Sequence, residues 1–353
     1  METPASLGYR WPAEWERQAA VWLSWPHNRD SWPGKFEPIP GQFAEFVRAI
    51  ARFEPVHILA GSEAVMAEAR SLVGELPNVT LHDVRTNDAW CRDHGPIFLA
   101  KSPHADASLP PALIDWQYNA WGGKYPPFDA DNEVPRQVAE CLGYRRFARS
   151  LVLEGGSIEG NGAGTLLTTE CCLLNPNRNP SESREEIEQQ LRENLGVTKI
   201  LWLRTDGIAG DDTDGHIDQL ARFANATTIV AAVCEDRDDE NFEPLRANWE
   251  QLQAMTDQAG RPFEVVPLPM PRALYYDDAR LPACYCNFLI VNGGVIVPVF
   301  GDDAADERAC RTLASCFPDR EIVPLYATDL VWGLGAYHCL SQQQPVHDPA
   351  VGS

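Results

Sequence analysis

The sequence lacks the features of a membrane or secreted protein. Among its 353 residues, no apolar stretch reaches the roughly 18 residues that a transmembrane helix needs. The segment Met1 to Arg10 has no basic region followed by an apolar core, so we expect no secretion signal. The ten cysteines are then expected to be mostly reduced thiols. We therefore predict a cytoplasmic protein that does not bind membranes.

Positive charge is also scarce. Lys and Arg number 29 against 51 Asp and Glu, which gives a formal net charge of -22. Such a chain repels the phosphates of nucleic acids and of anionic lipids, so neither is an expected partner. The same field favours a small cationic ligand, although many proteins are acidic for solubility alone. Charge therefore permits a cationic substrate without identifying one.

No low-complexity linker interrupts the chain, and a weak pattern of two strands, a helix and a strand recurs along it. With 44% hydrophobic residues, the chain can bury a sizeable core. The periodicity and turn residues predict one full copy at 288–325, two more at 162–203 and 220–268, and a partial copy at 20–60. In the 162–203 copy, a strand is predicted over 165–174 and a helix over 184–195, with Ser181 or Ser183 as its cap. In the 220–268 copy, a helix is predicted around 243–259.

The partial copy at the front lacks its hairpin, which the segment 330–341 is expected to supply, joining the two ends of the chain. Repeated sheet edges are best satisfied by a radial arrangement. We therefore predict an α/β ring of ββαβ units around a central site, in a single domain 1–353 with a core of about 11–345. An ordinary α/β or α+β domain with unrelated strands and helices is the alternative.

The first of four unusual clusters lies at 87–96 and combines Asp88, Trp90, Arg92 and Asp93 before a Gly-Pro turn. Such charges are expensive to bury unless they pair or serve a function. The second cluster is Glu154 with two following glycines, which allow another group to approach the backbone closely. An ion-pair hub around Arg92 and a simple cap or turn at Glu154 are the structural alternatives.

The third cluster contains Asp214, His216 and Asp218. If the chain is extended from His216 onward, His216 and Asp218 project from one face, with a carboxylate on either side of the imidazole. This arrangement suits a general acid/base whose pKa is raised by negative charge. A calcium-binding EF-hand is excluded because Ile217 and Phe223 stand where Gly and Glu are required. A divalent metal held by His216 and several Asp residues remains an alternative.

The fourth cluster places Cys339 shortly after Gly333 and Gly335. A reactive thiol needs such close access, because a substrate carbon must reach the sulfur. A buried structural cysteine is the alternative. The pairs Cys171-Cys172 and Cys284-x-Cys286 lack zinc-site spacing, so no structural metal is expected.

Taken in this order, the clusters resemble one family, the agmatine deiminase and bacterial peptidyl-arginine deiminase group of guanidino-modifying enzymes. The resemblance spans the chain from about Trp11 to Pro345. The motifs that carry it are Trp90-x-Arg92-Asp93-x-Gly95-Pro96, Glu154-Gly155-Gly156-Ser157-Ile158, Asn175-Pro176-Asn177-Arg178-Asn179-Pro180, Asp214-Gly215-His216-Ile217-Asp218 and His338-Cys339.

The resemblance implies a pentein fold, a five-fold pseudosymmetric propeller of ββαβ units around a central site, with no metal or organic cofactor. It implies that Cys339 attacks the guanidinium carbon, and that His216 protonates the departing ammonia and then activates water. By the same resemblance, Asp93 and Asp218 clamp the guanidinium nitrogens and Glu154 holds His216 in position. A planar cation of this kind needs such carboxylates to orient it.

The sequence departs from the family pattern near the site. Leu334 interrupts the usual glycine run before the cysteine, and Asp214 stands where agmatine-specific members tend to carry Asn. Asp214 adds a carboxylate beside the site, and we expect it to bind the substrate. Asp212 is expected to meet the free amine at the far end of agmatine, with Trp90 and Trp121 packing on its methylene chain. The additional carboxylates suit a substrate with a charge at both ends and disfavour an arginine carboxylate.

The expected function is hydrolysis of agmatine to N-carbamoylputrescine and ammonia, a step towards putrescine, by a monomer or a homodimer. The first alternative is a deiminase acting on peptidyl-arginine or on another small guanidino compound. A non-catalytic guanidine- or polyamine-binding protein, or a ring-shaped interaction module, and a metallohydrolase are the more distant alternatives.

Overall fold

The computed structural model describes residues 2–103, 105–106, 108–204 and 206–347. The strands in this part of the chain are β1 Tyr9–Arg10, β2 Gln18–Ser24, β3 Val56–Leu59, β4 Val79–His82, β5 Ile97–Lys101, β6 Ala112–Gln117, β7 Arg145–Val152, β8 Ile158–Gly160, β9 Thr165–Thr169, β10 Lys199–Leu203, β11 Ala221–Asn225, β12 Thr228–Val233, β13 Glu264–Pro269, β14 Tyr275–Tyr276, β15 Ala279–Arg280, β16 Leu289–Val291, β17 Gly294–Val299, β18 Glu321–Tyr326 and β19 Ser341–Pro345. The α-helices are α1 Ile39–Ala51, α2 Glu63–Val73, α3 Cys91–His94, α4 Ala120–Gly123, α5 Asp129–Asn132, α6 Val134–Leu142, α7 Glu170–Leu173, α8 Arg184–Leu195, α9 Phe242–Ala254 and α10 Asp303–Cys316.

The strands form five small mixed sheets built on one plan. In each sheet an antiparallel pair is followed by a helix and then by a strand parallel to the second member of the pair. The predicted ββαβ unit is thereby confirmed. The five sheets have the strand orders β1-β5-β6-β7, β8-β9-β10, β11-β12-β13, β16-β17-β18 and β19-β2-β3-β4, beside a separate hairpin β14-β15.

One sheet contains both the beginning and the end of the chain. Strand β19 pairs antiparallel with β2, with Ser341 opposite Leu23 and Gln344 opposite Ala20. The end of the chain therefore completes the front unit, but with the single strand β19 rather than with a hairpin from 330–341. That earlier segment forms turns, because Leu330–Gly333 is a 3-10 helix and Leu334 has a left-handed φ of 72°.

Burial differs between the strands of a unit and shows which of them face the interior. Strands β5, β9 and β19 are buried along their whole length, and β12 is buried except at its last residue. The outer strand β18 contains only exposed and partly buried residues, and β13 is exposed or partly buried over its first four residues and buried at its last two. The antiparallel pair of each sheet therefore lies towards the interior of the molecule, and so does the turn that precedes it.

Helix α8 shows how local sequence sets an element. Its bounds match the prediction, and its apolar residues Ile187, Leu191 and Leu195 are buried at helical spacing. Ser183, rather than Ser181, is the N-cap: its hydroxyl accepts from the backbone N–H of Glu186, whose carboxylate accepts from the N–H of Ser183 at 2.7 Å. Both bonds of a capping box are thus present.

Two predicted elements are shorter in the structure. The helix expected at 243–259 ends at Ala254, because Thr256 forms a β-bridge with Pro262 and the Asp257 carboxylate accepts from two backbone N–H groups of the turn. The strand expected at 165–174 ends at Thr169, where α7 begins. None of the helices in the described residues is long and apolar enough to cross a membrane.

The capping box gives the first testable prediction. Replacing Ser183 with Ala removes the acceptor for the Glu186 N–H, so we expect the free energy of unfolding to fall by about 1 kcal/mol in equilibrium urea denaturation. Ser181→Ala is the matched control, since Ser181 is exposed and outside the box, and it should leave stability within a few tenths of a kcal/mol. Equal losses in both variants would contradict the assignment of the cap.

Candidate active site

Five short turns, one before the antiparallel pair of each sheet, bring their side chains together at one place. Asp93 lies in α3 before β5, Gly156 before β8, Asp218 before β11, Asn287 before β16 and Cys339 before β19. The Asp93 Oδ1 accepts from the Gly156 N–H at 2.9 Å, and the Asn287 Nδ2 lies 3.0 Å from the Cys339 Sγ. The site therefore takes one residue from each of the five repeated units.

Cys339 is 4% exposed and has polar neighbours on two sides. Its thiol lies 3.5 Å from the Asp218 Oδ2, and the Asn287 Nδ2 donates to its sulfur. Burial, together with the negative charges of Asp218 and Asp93, raises the pKa of the Cys339 thiol well above its ordinary value. The resting sulfur is consequently protonated and has to be ionised before it can act as a nucleophile.

Asp218 is the carboxylate beneath this sulfur. Its Oδ2 is 2.7 Å from the Nδ1 of His338, whose Nε2 is 3.0 Å from Glu14 Oε2. Burial alone raises the pKa of Asp218, but the hydrogen bond and positive charge of His338 and the charge of His216 outweigh burial and lower it below the ordinary value. Asp218 therefore stays ionised and available to a cation.

His216 is fully buried between carboxylates. Its Nδ1 lies 3.6 Å from the Asp93 Oδ1. Burial lowers the pKa of His216, but the negative charges of Asp93, Glu154 and Asp218 outweigh it, and the net pKa is raised. The imidazolium form is thus favoured, as a general acid requires.

Asp93 lies on the other side of the imidazole. Its Oδ2 accepts from the indole N–H of Trp121 at 3.0 Å, and its Oδ1 from the backbone of Gly156. Burial raises the pKa of Asp93 to about 6, against the lowering effect of the charge of His216. Asp93 and Asp218 are thereby placed around one buried space with Cys339 beside it.

The local structure around His216 corrects one expectation. Ile217–Gln219 form a 3-10 turn rather than an extended strand, and β11 begins only at Ala221. The preceding loop curves because the Asp211 carboxylate accepts from the backbone N–H groups of Thr213 and Gly215. His216 and Asp218 still meet at the site, but a turn brings them there.

Glu154, which was expected to hold His216, acts on it through charge rather than through a hydrogen bond. Its Oε1 is 2.6 Å from the Arg178 Nε, while its Oε2 has no hydrogen-bond partner among the described residues. One carboxylate oxygen lies within 4.8 Å of a ring nitrogen of His216. The expectation that Glu154 positions His216 stays a prediction.

Asp214 does not lie on the wall of the substrate cavity, contrary to expectation. Its carboxylate ion-pairs with Arg178 at 2.6 Å and Lys124 at 2.9 Å, and accepts from Asn177 at 3.0 Å. These partners lie far from Asp214 in sequence, so the local motif could not show them. Asp214 therefore fixes the loop that carries His216.

A cavity of about 820 Å³ opens at Cys339. Trp90, Trp121 and Asp212, the residues expected to hold the substrate tail, all line it together with Asp93. The Asp212 carboxylate accepts from the Tyr125 hydroxyl, and burial raises its pKa. The structure thus places the three expected tail contacts in the same cavity as the sulfur.

The glycines before the nucleophile allow close packing. A Cβ on Gly335 would lie 2.6 Å from the Trp90 ring and 3.0 Å from the Cys339 Cβ. Leu334, the residue that interrupts the glycine run, lines the cavity and adopts a left-handed φ of 72°, a conformation that costs a leucine about 1 kcal/mol. The chain accepts this strain without displacing the sulfur from the cavity.

Asn287 is a site residue that the sequence analysis missed. Its side-chain oxygen accepts from the backbone N–H groups of Ala336 and Cys339, at 3.1 and 3.2 Å, while its nitrogen faces the sulfur. An amide carries no strong local signal. Its position immediately before the strand pair, equivalent to those of Asp93 and Asp218, could have identified it once the repeats were aligned.

Comparison with known proteins adds a family. A family model described as Porphyromonas-type peptidyl-arginine deiminase matches residues 10–345, a range that contains all five turns of the site. The chain belongs to this family. The predicted membership is thereby confirmed.

Relatives of this peptidyl-arginine deiminase family member match it over nearly their full length. The agmatine deiminase of Stutzerimonas stutzeri strain A1501 is 40% identical, over 97% of both chains. The solved agmatine deiminase of Enterococcus faecalis superposes with a TM-score of 0.91 at 34% identity, covering 98% of each chain. The C. jejuni agmatine deiminase with substrate bound gives 0.87 at 33% identity, covering 96% of this chain and 97% of that one. This likeness confirms the predicted pentein fold.

Gly156 gives a prediction for the site of this family member. A Cβ there would lie 2.6 Å from the His216 Nδ1 and 2.8 Å from the Asp93 Oδ1, so Gly156→Ala must displace one of them. Because small displacements of reacting groups are costly, we expect kcat to fall at least about 100-fold. Gly41→Ala is the control: a Cβ at Gly41 meets no atom within 4 Å, and activity should be unchanged. Steady-state kinetics on folded variants would contradict the geometry if Gly156→Ala kept full activity.

Proposed function

We propose that the protein is an agmatine deiminase, which hydrolyses the guanidinium group of agmatine to give N-carbamoylputrescine and ammonia. The proposal rests on the position of Cys339 at a cavity that Asp93 also lines. Asp218 lies 3.5 Å from the sulfur, and His216 lies 3.6 Å from Asp93. A guanidinium matches this set because it is planar and cationic and offers N–H donors to paired carboxylates. The agmatine deiminases that resemble this chain over its full length support the same substrate.

The first half of the proposed reaction forms a covalent intermediate. Asp93 and Asp218 accept hydrogen bonds from the guanidinium nitrogens, and the bound cation favours loss of the Cys339 proton to solvent. The thiolate then adds to the guanidinium carbon, forming a C–S bond and a neutral tetrahedral adduct. His216 gives its proton to the departing nitrogen and the C–N bond breaks. Ammonia departs, and an amidino-cysteine cation remains on Cys339.

The second half releases the product. His216, now neutral, takes a proton from water, and the hydroxide adds to the amidino carbon. The hydroxyl group of this adduct then loses its proton to solvent as the carbonyl of the ureido product forms. The C–S bond breaks, and its electron pair returns to the Cys339 sulfur. The sum is one guanidinium and one water converted to a urea derivative and an ammonium ion, with no cofactor required. Glu154 favours the protonated imidazole through its charge at the start of each cycle.

The outer cavity supports agmatine over arginine. In the proposal, the ammonium group at the far end of agmatine pairs with Asp212, and its methylene chain lies against Trp90 and Trp121. Asp88 and Asp131 also line the cavity. Its lysine and arginine residues, Arg29, Lys124 and Arg280, each already form an ion pair. An α-carboxylate placed beside Asp212 would therefore face several acids and no unpaired lysine or arginine of the described cavity wall. A deiminase for peptidyl-arginine or another small guanidine, with the same chemistry, is the second candidate, favoured by the family description itself.

The setting of the reaction is part of the same proposal. All ten cysteines lie in the described residues and none forms a disulfide there, which suits the reducing cytoplasm. Whether the protein is a monomer or a homodimer, and whether 1–353 is one domain, stay predictions. A small cationic substrate, rather than nucleic acid or a membrane, fits the acidic composition.

The function is tested by offering purified protein agmatine, free arginine and a peptide ending in arginine, and measuring ammonia and ureido product. We expect turnover of agmatine alone, and none in Cys339→Ala, whose folding is checked by circular dichroism. Turnover of another guanidino compound would support the proposed reaction but assign a different substrate. No turnover of any of the three by folded protein would contradict the proposal.

Asp212 gives a sharper prediction about the substrate tail. If its carboxylate pairs with the distal ammonium, Asp212→Asn should lower kcat/KM for agmatine about 10- to 100-fold. The same variant should barely change kcat/KM for 1-butylguanidine, which has no distal amine. Asp30→Asn is the matched control, because it removes the same charge from an exposed position of the cavity wall. Equal losses on both substrates would show that Asp212 acts on the guanidinium end or on the fold.

A further inference from the structure

A second cluster of potential ligands lies behind the catalytic imidazole. One ligand atom each of Glu154, Cys172 and His216 lies within 4.8 Å of the others, and all three side chains are buried. Cys172 belongs to α7, after β9, and no step of the proposed reaction uses it. The cluster therefore contains a thiol whose position beside His216 the deiminase chemistry does not explain.

Several polar atoms of this cluster are unpartnered. Both ring nitrogens of His216 and the Oε2 of Glu154 have no hydrogen-bond partner among the described residues, although both side chains are fully buried. Buried polar atoms are nearly always satisfied in folded proteins. A carboxylate oxygen and two imidazole nitrogens without hydrogen-bond partners thus meet a thiol in one buried place. A metal ion that displaces the imidazolium proton would satisfy the carboxylate oxygen and one of the nitrogens.

A neighbouring cluster shows the contrast. Glu14, Glu159 and His338 also lie within 4.8 Å of one another. There, however, the guanidinium of Arg222 binds both carboxylates, and both nitrogens of His338 have acceptors or donors within 3.0 Å. Arg222 already supplies the positive charge that a metal would bring, so this cluster is closed to an ion.

The donor set and the surrounding charge favour a borderline-soft divalent cation. A thiolate, an imidazole and a carboxylate are the ligands that Zn²⁺ prefers, and three protein ligands leave its fourth position open. Asp93, Asp211 and Asp218 add negative charge around His216. Arg178 opposes the cation, but it binds Oε1 of Glu154 and leaves Oε2 without a partner among the described residues.

We propose that Glu154, Cys172 and His216 form a binding site for Zn²⁺ or a related thiophilic divalent ion. Binding forms a metal–sulfur bond and a metal–nitrogen bond and releases the Cys172 thiol proton and the His216 imidazolium proton to solvent, so no oxidant or reductant is involved. An occupied site engages His216, which then cannot transfer protons to ammonia or from water. The ion is therefore an inhibitor, and this consequence alone rests on the proposed function.

The test measures binding directly, in the Cys339→Ala background, so that the nucleophile cannot contribute a ligand. Zn²⁺ affinity is measured by competition with a chromophoric chelator, and Co²⁺ is added as a spectroscopic probe. We expect one tight site per chain and a sulfur-to-cobalt charge-transfer band. Adding Cys172→Ser should weaken Zn²⁺ binding at least about tenfold and remove the band.

The matched control is Cys171→Ser in the same background, because Cys171 is the adjacent thiol but lies outside the cluster. It should keep the affinity and the band. Cys172→Ala is made alongside Cys172→Ser, with circular dichroism on both, so that a folding defect in one does not decide the result. Zn²⁺ binding unchanged in folded Cys172 variants, or no tight site in the Cys339→Ala protein, would overturn the proposal.

The inhibitory consequence has its own measurement. In protein with Cys339 intact, Zn²⁺ should inhibit agmatine turnover reversibly, with recovery on adding a chelator. Relative to its own metal-free rate, Cys172→Ser should need at least about tenfold more Zn²⁺ for half inhibition than Cys171→Ser. Equal sensitivity would overturn the inhibitory role, whereas a protein without deiminase activity would still be judged by its binding and its cobalt spectrum.

Discussion

Buried negative charge at the meeting point of the five turns is the constraint on which the site depends. Asp93, Asp218 and Glu154 are buried together, and their charges raise the pKa of His216 while Asp93 and Asp218 raise that of Cys339. A cation that binds between the carboxylates relieves their mutual repulsion and stabilises a thiolate. These buried carboxylates therefore favour a guanidinium ligand, and they also make ionisation of the Cys339 thiol depend on the bound substrate.

Arginines behind the site hold these acids in place. Arg178 joins Glu154 to Asp214, so the charge beside His216 and the loop that carries it share one cation. Arg92 is a structural residue of this kind: its side chain donates to the His338 carbonyl at 3.2 Å and to Gln342 at 3.0 Å. It thereby fastens the turn that precedes Cys339. Arg92 thus holds a loop, but it is not the ion-pair hub considered from the sequence, because these partners are carbonyl and amide oxygens rather than acids.

The repeat, and most residues of the site, could be predicted from sequence because their signals are local. Helix α8 has its cap and apolar spacing within its own segment, and the motifs around Asp93, His216 and Cys339 are short. The structure differed from the prediction where a side chain's partners could not be read from the local motif. Asp214 forms ion pairs with Arg178 and Lys124, and hydrogen bonds to the Asp211 carboxylate curve the backbone before His216. Burial and the absence of a partner on the Glu154 Oε2 are likewise properties of the packed molecule.

Whether the substrate's charge ionises the nucleophile is tested by the pH dependence of Cys339 alkylation. Mass spectrometry follows alkylation on the peptide that contains Cys339, with and without a guanidinium analogue that is not turned over. The pH midpoint is compared rather than the rate, because a bound ligand also restricts access to the sulfur. We expect the apparent pKa of Cys339 to be high in the free protein and to fall when the cation binds. An unchanged midpoint would contradict this coupling, since Asp93 and Asp218 would then not link the substrate charge to ionisation of the thiol.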